Sequence, residues 1–103
     1  MKLYIGRRNF GRAVVEVMEG AKYRPLHHII RHSPTGMEWG YGGSGPGDLA
    51  LSILTDLLGA EEANRHYMAF KWAFVCNLAH DEWALDERVI REWLAGHLQK
   101  ARP

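Results

Sequence analysis

The hydrophobic pattern changes period near residue 45. Upstream, apolar residues come in short, partly alternating runs rich in strand formers. Residues 2–5 (Lys-Leu-Tyr-Ile) make one such run. Ala13 to Met18 (Ala-Val-Val-Glu-Val-Met) makes the strongest, because its three valines favour a pleated surface. The two predict an antiparallel hairpin, with Gly6 to Gly11 as the loop between them. Glu19-Gly20 closes the second strand, and Pro25 bars a regular ladder just after it. Leu26 to His32 is ambiguous between a strand and a turn of helix. The turn composition Ser33-Pro34-Thr35-Gly36 suggests that Ile29–His32 and Met37–Trp39 pair as a second hairpin.

Downstream, the spacing becomes helical. Pro46 suits a first helical position, which makes Gly45, or Ser44 one residue earlier, the N-cap. Asp48 then falls in the first turn, where the helix dipole favours an acid. Leu49, Ile53 and Leu57 recur at four-residue spacing, as do Ala50, Leu54 and Leu58, and Gly59 stops the helix. A second helix is predicted from about Ala60 to Ala79. It carries two stripes: Ala63, Tyr67, Phe70, Phe74 and Leu78, and Met68, Trp72, Val75 and Ala79. Burial of both is the default reading. His80-Asp81-Glu82 breaks the pattern. Asp86 reads as the N-cap of a third helix over about residues 87–98, with Leu85 and Ile90 as a hydrophobic staple. Val89, Ile90, Trp93 and Leu94 are expected to face inward. The class is therefore α+β: a small antiparallel sheet of three to four short strands packed against three helices. One domain spans 1–103, with a β-rich half (1–45), a helical half (46–98) and a frayed tail (99–103).

Composition narrows the class without naming a function. The 103 residues are 47% hydrophobic, enough for one core. No apolar run approaches a membrane span, and no leader peptide is recognisable. A single cysteine, Cys76, excludes an internal disulfide and reads as a buried thiol, so a cytoplasmic setting is expected. The net charge of +1 conceals a division. Residues 1–37 carry seven Lys/Arg (Lys2, Arg7, Arg8, Arg12, Lys22, Arg24, Arg31) against two acids, and residues 38–103 carry six against ten. Either the surface is bipolar or the halves dock and partly neutralise each other. Docking is the simpler reading.

The most specialised stretch is Trp39 to Asp48, which holds five of the chain's 11 glycines. Gly40-Tyr41-Gly42-Gly43-Ser44-Gly45 matches the spacing of a dinucleotide fingerprint. Its context argues against that role. The preceding Met37-Glu38-Trp39 is too short and polar for a central parallel strand, no second β unit follows, and Glu38 and Asp48 flank the loop with negative charge. A tight structural turn explains the glycines more simply. Trp39 and Tyr41, beside exposed amides of Gly42, Gly43 and Ser44, form a candidate binding edge for an extended partner. Arg7, Arg8 and Arg12, with Asn9 and Phe10, form a second candidate surface. No catalytic residue, metal site or cofactor is assigned. His27, His28, His32, His66, His80 and His97 make no metal-binding spacing, and Cys76 has no base beside it.

The stretch Trp39-Gly40-Tyr41-Gly42-Gly43-Ser44-Gly45-Pro46 resembles the signature of a small family of uncharacterised bacterial and bacteriophage proteins. The likeness extends to Tyr4-Ile5-Gly6-Arg7, to His32-Ser33-Pro34-Thr35-Gly36-Met37-Glu38, to Leu49-Ala50-Leu51, and to Phe70-Lys71 and Trp93-Leu94. Gly47 departs from it, standing where a larger, more helix-favouring residue is expected. The resemblance implies a phage or mobile-element setting and brings no catalytic residues. The resulting expectation is a non-enzymatic protein acting by protein–protein contact on a host or phage complex, such as a host defence complex of the CRISPR kind. Its binding residues would be Trp39, Tyr41, Gly42, Gly43, Ser44, Arg7, Arg8 and Arg12. One alternative is a nucleic-acid-binding accessory protein using the basic half. Another is a small-ligand or anion-binding module at the glycine-rich loop.

Overall fold

A computed structural model of the chain describes residues 1–100. Four strands, β1 (Lys2–Asn9), β2 (Arg12–Glu19), β3 (Lys22–Pro25) and β4 (Glu82–Asp86), form one antiparallel sheet in the order β3-β2-β1-β4. Three helices, α1 (Ser44–Leu58), α2 (Ala60–Ala73) and α3 (Glu87–Lys100), complete an α+β fold. Register places Val17, Tyr4 and Leu85 in one cross-strand row, and Val15, Gly6 and Trp83 in the next. These rows form the inner face, and all six residues are buried. They share one core with Leu49, Leu51, Ile53 and Leu54 of α1, whose full burial contributes about 1.5–3 kcal/mol of transfer free energy each. α1 and α2 pack against each other and are joined at Gly59, whose φ of 91° suits glycine.

Several elements differ from the sequence reading. β1 runs through Gly6 to Asn9, so the loop shrinks to Phe10-Gly11. Gly6 belongs in the strand because the ring of its cross-strand neighbour Trp83 lies on it; a Cβ there would sit 2.2 Å from the indole. β4 was hidden in the acidic break before α3. Its residues alternate, with Trp83 and Leu85 inward and buried. Asp86 does cap α3, accepting the Arg88 amide at 2.8 Å. The second hairpin is absent: Ile29–His32 and Met37–Trp39 form no strands. The backbone amides of Ile29, Arg31 and His32 go to α1 side chains instead.

α1 starts at Ser44 with Gly43 as N-cap, two residues earlier than Pro46 predicts, so Asp48 lies beyond the first turn. α2 stops at Ala73 rather than Ala79, and Val75–Asn77 form a 3-10 turn. That break frees the Val75 carbonyl to accept the Gly40 amide at 3.0 Å. Burial of both α2 stripes does not hold, since Met68 and Trp72 are exposed; so is Val89 on α3. Cys76 is half-buried in the 3-10 turn, not buried in a helix. Of the expected tail, Gln99 and Lys100 are helical, and residues 101–103 lie outside the described residues.

Candidate functional site

Two distant stretches of sequence meet at the end of the sheet. Arg8, on β1, reaches the loop before α1 and donates to both Glu38 carboxylate oxygens, at 3.1 and 3.0 Å. Its Nε donates to the His80 carbonyl at 2.9 Å, and its guanidinium lies 4.5 Å from the Trp39 ring centre. Trp39 itself is 1% exposed. Its Nε1 donates to the same His80 carbonyl at 3.0 Å, and its ring meets Trp83 edge-on at 5.5 Å. Trp39 is therefore a core anchor of the loop, and Arg8 is the brace that holds it. The planar fork of an arginine suits this double duty of bidentate pairing and stacking.

The glycines that follow are explained by aromatic rings lying on the backbone. A Cβ on Gly42 would be 2.7 Å from the Trp72 ring, and one on Gly43 would be 2.4 Å from the Tyr41 ring. Gly45 lies equally close to the Glu38 Cβ, at 2.8 Å. Close packing accounts for glycine at Gly42 and Gly45 of the fingerprint spacing. Tyr41 emerges from this packing half exposed, at 52%.

Two clefts open on either side of Glu38 and Tyr41, which line both. The first, of about 540 Å³, lies between the β1–β2 hairpin and the loop, with Asn9, Arg12, Ser33 and Met37 among its walls. The second, of about 510 Å³, is bounded by Arg8, Trp39, Leu78 and His80. At the hairpin tip stands Phe10. Its φ is 52°, that of Gly11 is 80°, and its side chain is fully exposed. Positive φ at both central residues is the type I′ turn, where Asn or Gly is the usual first residue. A phenylalanine there pays a conformational cost with no packing in return from this chain.

The structure thus gathers Arg8, Arg12, Trp39 and Tyr41 around one ridge and its clefts. Gly42, Gly43 and Ser44 follow at the start of α1. Arg7 is separate, pairing with Glu16 at 3.1 Å. The basic half is largely committed internally: Lys2 and Arg24 meet Asp56, Arg8 meets Glu38, and Arg31 bonds Asn64 and lies over Tyr67.

Two polar residues on the buried face of α1 hold the long loop and escaped the sequence reading. Asp48, 1% exposed, accepts from the amides of Arg31, His32 and Ser33 at 3.1 Å each and contacts His28 Nε2 at 2.9 Å. Burial pushes its carboxyl up, but the bonds from His28 and the three amides outweigh that and hold it below the usual range. One turn on, the Ser52 hydroxyl accepts the Ile29 amide at 2.8 Å. The only signal was the i, i+4 polar pair inside an otherwise apolar face.

Residues 4–96 match the model of a family described as "Family of unknown function (DUF6166)". The chain belongs to this family. The DUF6166 match includes the sheet apart from Lys2 and Leu3, the glycine-rich loop, α1 and α2, and most of α3. Searches of curated proteins and of solved structures each found no match. Among the described residues, no three His, Cys, Asp or Glu are placed to hold a metal ion. No helix there is long and apolar enough to cross a membrane.

Proposed function

We propose that this DUF6166 chain is a non-enzymatic binding protein that engages a protein partner with the β1–β2 hairpin tip and the cleft beside it. Phe10 carries the reading. A fully exposed phenyl on a left-handed backbone is disfavoured on both counts within the chain, and a partner that buries the ring would account for it. Arg12 and Tyr41 line the adjoining cleft and are of residue types enriched as anchors in protein interfaces. Nucleic acid is the weaker partner class. Of the seven basic residues in 1–37, only Arg12 and Lys22 lack an ion pair, hydrogen bond or ring contact among the described residues, too few for a phosphate track. The resemblance to bacteriophage proteins suggests a phage or mobile-element setting, so a host defence complex is the partner to test first.

A photo-crosslinking side chain at position 10 or 41, introduced in cells that carry candidate defence complexes, tests the site. One protein should be captured from both positions. Position 23, exposed on β3, is the control and should give little. Equal capture from position 23 would defeat the assignment. Phe10→Asn should separate function from fold: stability should rise by about 1 kcal/mol as the left-handed strain is relieved, while capture weakens.

A further inference from the structure

The sheet has an unfilled place at the first cleft. β3 pairs with β2 only from Glu19 back to Glu16. The Leu26 amide then donates to the Val15 carbonyl at 3.0 Å, and among the described residues none after Leu26 bonds to the β2 backbone. In an extended strand the N–H and C=O of one residue point to the same edge, and the direction alternates from residue to residue. The Val15 carbonyl points toward β3, so both backbone groups of Ala13 point that way too. They have no partner on that side among the described residues. Ala13 and Val14 line the cleft of about 540 Å³, together with Ser33 and Met37 of the loop.

The outer strands carry guards of the kind that sheet edges usually have. β3 bears Lys22 and Arg24 and ends in Pro25, and β4 is only five residues long and bears Glu82 and Asp86. Ala13 has no such guard. Beside it, Arg12 is exposed and makes no ion pair, hydrogen bond or ring contact among the described residues. The acid in the cleft wall, Glu38, is held at both oxygens by Arg8. The free charge at the cleft is therefore positive.

We infer that the protein partner lays an extended, acidic segment into this cleft and pairs it with Ala13 as an added strand. The inference rests on the reading of the cleft as a protein-binding site. A segment running antiparallel to β2 puts one residue opposite Ala13, where the two exchange both backbone hydrogen bonds. A carboxylate on the segment meets Arg12 in a charge-assisted bond. The cleft has the volume of sites that enclose a short ligand. The backbone pairing supplies affinity, and Arg12 selects for acid.

The probe is a phage-displayed library of random linear peptides, selected against the whole chain. Enriched peptides should be rich in Asp and Glu. In ¹⁵N spectra, the synthesised peptide should shift the Ala13 amide and slow its exchange with solvent. N-methylation scanned along the peptide should weaken binding about fivefold to tenfold at the residue facing Ala13 and little at its two neighbours, since backbone bonds alternate along a strand. Ala13→Pro removes only the unpaired N–H, so the chain should fold and bind the peptide about tenfold more weakly. Arg12→Glu, at an exposed position, should weaken binding about tenfold or more and keeps the test valid if Ala13→Pro does not fold. No enriched peptide, shifts at Ala84 in place of Ala13, or N-methyl effects without alternation would overturn the added strand. Crosslinked capture from positions 10 and 41 that persists undiminished in a folded Ala13→Pro would overturn it while leaving the partner reading standing. Absence of shared capture in the unaltered chain would remove both.

Discussion

Gly6 shows how one residue can mislead a local reading and still be indispensable. In sequence it looks like the start of a loop, since glycine is poor in strands. In the fold it is the floor on which Trp83 lies, and Trp83 in turn meets Trp39. Gly6→Ala should therefore cost about 1–3 kcal/mol by overpacking, and it should move Trp83 enough to change its near-ultraviolet circular dichroism. A substitution that left both stability and that signal intact would show that the ring has room to slide. The signal for this contact lay in two residues 77 positions apart, and only sheet register joins them. Trp39 was equally unreadable: beside five glycines it looks like an edge for a partner, whereas burial and the His80 hydrogen bond make it core.

Among the elements, α1 does more than its apolar periodicity announces. The leucines and Ile53 gave its place in the core, and that was legible because four-residue spacing is a local property. Its clamp on residues 28–33 was not, because the acceptors sit on the helix and the donors on a segment at least fifteen residues earlier. A stretch without strands or helices is thereby fixed by side chains, which is why a hairpin looked necessary and is not. The amides of Ile29, Arg31, His32 and Ser33 should exchange slowly with solvent. Asp48→Asn should cost about 3 kcal/mol, since buried amides lose a charged acceptor, and it should speed exchange at 31–33 more than at Ile29, which Ser52 holds. Uniform loss of protection would mean that Asp48 supports the whole fold rather than this segment.

For the whole molecule, the charge division resolves into internal pairing, and Asp56 is its centre. Its carboxylate accepts from Tyr4 Oη at 2.8 Å, Arg24 Nη2 at 2.8 Å and Lys2 Nζ at 3.3 Å, tying β1 and β3 to α1. Burial raises its pKa, but the bonds from Tyr4, Arg24 and Lys2 outweigh burial and hold it low. Asp48 is held low as well. The unfolded chain therefore binds protons more readily than the folded one below the ordinary Asp value of about 3.9. Stability from both carboxylates is complete above that pH and is lost as pH falls through their lower folded values. Tyr4 acts in the opposite sense: burial, then the Asp56 bond, push its phenol up, so its contribution is complete below about pH 10 and is lost as pH rises beyond it. Asp56→Asn should cost about 1–2 kcal/mol near pH 7, allowing for solvent screening of its partly exposed partners. In urea unfolding followed across pH, the gap between the variant and the unaltered chain should narrow below about pH 4, where protonation makes the two side chains alike. A gap that stayed constant down to pH 2 would show that packing around position 56, rather than its charge, joins the sheet to α1.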